Sequence, residues 1–86
     1  MPAARRKYHR SDNEKRNAAE ALANLAAAYR GALRDTRLAR EEGDAEAEWH
    51  FAATAKKYRE ALRAIGRGGD PIEVHARATG SRPFRR

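Results

Sequence analysis

The residues best equipped for chemistry lie toward the two ends of the sequence. Arg5, Arg6, Lys7, Tyr8, His9 and Arg10 interleave cations with an aromatic ring, and Arg82, Pro83, Phe84, Arg85 and Arg86 repeat that mixture. Such cations neutralise phosphates, and a ring set among them stacks on an unpaired base. The chemistry on offer is non-specific contact with a nucleic-acid backbone or with another acidic surface. The same composition also describes a solvated, solubilising tail. Nothing in the chain has the density of base-reading side chains that a recognition helix carries.

Other chemistry is sparse. His9, His50 and His75 are far apart in sequence. Glu46 and His50 are four residues apart, on one face of any helix containing both, which is half a metal site or an ordinary surface pair. The chain has no Cys, so it has neither disulfides nor thiolate ligands. It contains no HExxH, phosphate-binding loop, EF-hand or Ser/His/Asp set. Gly66-Arg67-Gly68-Gly69 has the look of an RGG-type RNA contact, but one copy beside a helix end reads as a cap and linker. The expectation is a non-enzymatic protein with no cofactor, no metal and no small-molecule substrate.

Charge sharpens the picture. The net charge is +7 over 86 residues, from 19 basic and 12 acidic side chains. Residues 1–16 carry +4 and residues 67–86 carry +3, whereas 17–43 and 44–66 are each neutral. Any attraction to phosphate therefore belongs to the ends. The stretch Met1 to Lys7 has positive charge but no apolar run behind it, unlike a secretory signal, and no run is long enough to span a membrane. A cytoplasmic protein is the expectation. The 20 Ala and the 15 Arg against 4 Lys match a GC-rich coding bias, as in a bacterial or phage accessory protein.

The elements that must position these groups are helices. Ser11-Asp12-Asn13-Glu14 fits a capping box. From 12 to 42 the chain has no proline, one glycine (Gly31) and abundant Ala, Leu, Arg and Glu. At roughly 100° per residue, Ala18, Leu22, Leu25, Tyr29, Ala32, Leu33 and Thr36 share a face. Gly43-Asp44 supplies a C-terminal stop followed by an N-cap. A second helix over about 45–65 carries Phe51, Ala55, Tyr58, Leu62 and Ile65 at spacings of 4, 3, 4 and 3, a packed seam. So short a turn makes the two helices antiparallel neighbours. Asp70-Pro71-Ile72-Glu73 then has the N-cap, N1 and N3 residues of a short third helix over 71–79, with Gly80 as its stop. Against that, Ile72, Val74, Ala76 and Ala78 alternate as a strand does. The fold class expected is all-α: an antiparallel two-helix hairpin (11–66), a short third helix within 67–86, and basic disordered arms at 1–10 and 81–86.

A two-helix unit with so few large side chains needs the third helix, a second copy or a partner to complete its core. Trp49 lies far from the Phe51/Tyr58/Leu62 stripe, with Ala45, Ala52 and Ala53 around it, and Leu38 lies opposite the Leu22/Leu25 stripe. A tryptophan set among alanines is a knob with room for a partner's side chains. Leu38, Ala45, Trp49, Ala52 and Ala53 are accordingly the candidate interface, for a homodimer or for a different protein. The plainer reading has the third helix fold over one of the two large residues and leave the other exposed.

Two stretches resemble known families. Ala19 to Tyr29 resembles the first helix of a tetratricopeptide repeat, with Leu22, Leu25, Ala26 and Tyr29 at its signature spacing and Gly43-Asp44 opening the second helix. That likeness implies a packed helix pair, but the first helix is about two turns too long and no second repeat follows. Asn13-Glu14-Lys15-Arg16, Glu42-Gly43-Asp44, Ile72 and His75 resemble the layout of a helical ribosomal protein of the bacterial small subunit. That family grips RNA with basic helices, whereas the helices here are neutral. The function expected is a helical adaptor or regulatory protein acting through protein–protein contact, its arms on nucleic acid or an acidic surface. The alternative is a non-specific nucleic-acid-binding protein whose arms supply the main activity.

Overall fold

A computed structural model describes residues 12–80 of the chain. They form three helices: α1, Asp12–Glu42; α2, Ala45–Gly66; and α3, Pro71–Thr79. The Ser11 half of the expected capping box lies outside the described residues, as do both arms.

The joints show why the helices stop where they do. Gly43, at φ +76°, takes the left-handed conformation that L side chains avoid. Its N–H donates to the Arg40 carbonyl at 3.1 Å, and the Asp44 N–H donates to the Ala39 carbonyl at 2.9 Å. This pair of bonds is a Schellman motif, which satisfies carbonyls that the helix end would orphan. Asp44 then caps α2 by accepting from the Ala47 N–H at 3.1 Å. Two residues thus close one helix and open the next. The end of α2 repeats the device, with the Gly68 N–H donating to Ile65 and the Gly69 N–H donating to Ala64, both at 2.9 Å. Asp70 caps α3 through the Ile72 N–H at 3.2 Å, with Pro71 at the first turn and Gly80 past the end. The alternation of Ile72, Val74, Ala76 and Ala78 is therefore not a strand. The Asp-Pro start and the glycine on either side fix nine residues as helix.

α1 packs against both α2 and α3. Arg40 bonds Glu48 at 2.8 Å beside the turn, and Leu25 meets Ala61 farther along. The buried positions of α1 are Ala21, Leu25, Ala32 and Ala39, and those of α2 are Ala55 and Ala61. Small side chains at such positions let helices approach closely. α3 seats Ala78 and Val74 on the Leu25/Ala61 cluster, which Tyr58, Leu62 and Ile65 also enclose.

The seam is rotated from the one the sequence suggests. Leu22 and Leu33, expected on it beside Leu25, lie on its edge and are 40% and 43% exposed, and Phe51 is 37% exposed. Among the described residues, Leu25 is the one large side chain that is fully buried. Alanine forms most of the core, and several large apolar groups face outward.

Candidate interaction surface

Each residue of the expected interface sits on a firm helix and is exposed. Trp49 is 68% exposed and Leu38 is 47% exposed, and Ala45, Ala52 and Ala53 are also open. Ala45, Trp49, Ala52 and Ala53 lie within the first turns of α2, where Asp44 holds the helix start. Spacings of three and four put Trp49 beside Ala45, Ala52 and Ala53. The Trp49 ring meets the His50 ring edge-on, with centroids 5.3 Å apart and planes at 76°. That contact leaves the tryptophan uncovered. Leu38 stands about 140° around α1 from Leu25, so it faces away from the core. α3 does not fold over Trp49: its apolar contacts are with Leu25 and Ala61.

Ala52 also belongs to a feature that the sequence reading missed. Between α1 and α2 runs a groove that holds one hollow, and a second adjoins it on the α1 side. One, of about 200 Å³, is lined by Tyr29, Leu33, Ala52, Ala55, Lys56 and Arg59. The other, of about 390 Å³, is lined by Leu33, Thr36, Arg37 and Arg40. The side of α2 that meets α3 is different, presenting Lys57, Ala61 and Ala64 toward Val74 and Ala78. The signal in the sequence was the set Arg37, Arg40, Lys56 and Arg59, which flanks the seam on one side of each helix.

Electrostatics across residues 12–80 are balanced overall, with twelve basic and twelve acidic side chains. All seven charges of the net +7 therefore belong to Arg5, Arg6, Lys7, Arg10, Arg82, Arg85 and Arg86. These residues, with Tyr8 and Phe84, lie outside the described residues. No three His, Asp or Glu side chains converge as a metal site among the described residues. Glu46 and His50 are both exposed. No described helix is long and apolar enough to cross a membrane.

Comparison with known proteins finds no matching family, no matching characterised protein and no matching solved structure. The likenesses to a tetratricopeptide helix and to a ribosomal protein therefore bring no family membership with them.

Proposed function

We propose that this protein is a small, non-enzymatic helical adaptor. In this reading α1 and α2 form an antiparallel hairpin braced by α3, and the hairpin binds a second copy or a larger protein. The basic arms attach the assembly to nucleic acid or to an acidic surface. One observation carries the reading: the large apolar side chains Trp49, Leu38, Leu33, Leu22 and Phe51 face outward while alanines fill the core. Scattered exposed apolar residues are ordinary. A helical body that, among the described residues, buries one large side chain fully and leaves a tryptophan open has its strongest binding groups on its surface.

The test is molar mass by light scattering, at low and high salt and free of nucleic acid, for the native chain and for Trp49→Ala. A salt-independent dimer that weakens in the variant would make the tryptophan face a self-association surface. A monomer would direct the search to a different protein. If Trp49→Ala left association and thermal stability unchanged in every complex the chain forms, Trp49 would drop out of the interface. The second reading, a nucleic-acid binder in which the helices merely hold the arms, draws support from the net charge belonging wholly to residues outside 12–80.

A further inference from the structure

We infer that the groove between α1 and α2, on the flank that α3 leaves open, is the docking site for an acidic amphipathic helix of a partner protein. The inference rests on the adaptor reading and gives it a surface and a partner chemistry.

The floor and the rim of the groove ask for different things. Its floor is apolar and shallow, made by Tyr29, Leu33, Ala52 and Ala55. Ala52 and Ala55 have no bulk, so a helix can settle low between α1 and α2. The chain already demonstrates such seating, because α3 lays Val74 and Ala78 over the small residue Ala61 and its neighbours. The rim is cationic: Lys56 and Arg59 stand on the α2 side, and Arg37 and Arg40 on the α1 side. Among the described residues no acidic side chain lines either hollow. Glu48 pairs with Arg40 at 2.8 Å at the turn end, and Arg37, Lys56 and Arg59 remain along the groove. Residues 12–80 are neutral in total, so this rim is a local excess of positive charge. An apolar floor with cations along both edges matches a helix with an apolar stripe flanked by carboxylates.

Other occupants fit less well. A second copy docked groove to groove would bring the same cations onto themselves, because an isologous contact repeats one patch on both sides. The arms of this chain carry the same sign of charge as the rim. A nucleic acid would satisfy the cations and leave Leu33 and Tyr29 without a use.

The experiment is NMR titration of the full, isotope-labelled chain with a designed helical peptide of about 20 residues, long enough to span the groove. The peptide carries Leu and Ala on one stripe and Glu on both flanks. Its counterpart has Lys for every Glu, and a single-stranded oligonucleotide is the third probe. The acidic peptide should shift the amides of Leu33, Ala52, Ala55 and Arg59, and the lysine peptide should bind about ten-fold more weakly or worse. Leu33→Glu and Arg59→Glu, both at exposed positions, should each lower the affinity by about ten-fold. Ala27→Glu, the same added charge at an exposed position on the far side of α1, should leave it unchanged. Circular dichroism confirms that each variant keeps its helices; should Leu33→Glu lose them, Arg59→Glu decides. Silence at the groove, equal binding of the two peptides, or equal damage from Ala27→Glu would overturn the proposal. So would an oligonucleotide shifting the same groove amides, or a self-dimer that Leu33→Glu dissolves. A silent groove alongside an association that responds to Trp49→Ala would leave the adaptor reading standing and only this site wrong.

Discussion

Single side chains already separate what holds this protein together from what it presents. Leu25 has no solvent exposure and touches residues of both other helices, so its loss has no local substitute. Leu25→Ala should cost about 2–5 kcal/mol, the range for a buried leucine whose surroundings collapse only in part. A domain this small has a total stability of the same order. Urea unfolding followed by circular dichroism should therefore show a broad or absent transition in that variant. Gly31 points the other way. A methyl group there would meet the Arg34 side chain at 3.9 Å, ordinary contact with a flexible group. Gly31→Ala should raise stability by about 0.5–1 kcal/mol, the usual penalty of glycine within a helix, read from the same unfolding curves. The sequence marked Leu25 as a seam residue but gave Leu22 and Leu33 equal rank. A wheel of residues brackets a face several positions wide. Which positions sit at its centre is decided by the partner helix, and here the partner offers alanines that pull the seam toward Ala21, Leu25 and Ala32.

At the scale of elements, the joints matter more than the helices they join. Helix-forming residues make α1 and α2 legible from composition, and the Gly43-Asp44 pair locates their boundary. Gly43→Ala should destabilise by about 1–2 kcal/mol, because φ +76° is strained for any residue with a Cβ. Thermal melts would register the loss, and helix content at low temperature should stay close to that of the native chain. Gly69 is constrained differently, by space. A Cβ there would come within 2.9 Å of the Ala64 carbonyl oxygen and 3.2 Å of the Val74 side chain. The carbonyl belongs to the cap of α2 and has little freedom to give way. Gly69→Ala should therefore lift α3 from the Leu25/Ala61 cluster while α1 and α2 stay helical. Amide hydrogen exchange would show it as lost protection in 74–79 with protection kept around Leu25. The two-residue alternation in α3 argued against the expected helix without deciding the matter, because nine residues give too few turns for periodicity to decide. The Asp70 cap and Pro71 settle the matter locally. Each helix shows its own flanking cations in the sequence, but the groove they edge combines residues from two helices, a juxtaposition that exists only once α1 and α2 are packed.

The whole molecule divides into a neutral helical body and two segments that hold its net charge. That division makes the adaptor and the nucleic-acid readings separable in one experiment. If all seven arm cations reach phosphates of a single strand, the logarithm of affinity should fall with the logarithm of salt at a slope of about −5. Deleting residues 1–10 removes Arg5, Arg6, Lys7 and Arg10, and the slope from the remaining three cations should shrink to about −2. Removing 81–86 as well leaves only the balanced helical charges, so oligonucleotide binding should become negligible at physiological salt. The adaptor reading requires that this doubly trimmed chain keep its thermal stability and its association with a protein partner, because Trp49, Leu33 and the groove are untouched. Fluorescence anisotropy across a salt series measures the first property, and light scattering with circular dichroism measures the second. A trimmed chain that lost every interaction together with its oligonucleotide binding would make the arms the active part and the helices their support. One that kept partner binding at undiminished affinity would place function in the exposed apolar side chains, which a body with an alanine core is free to turn outward.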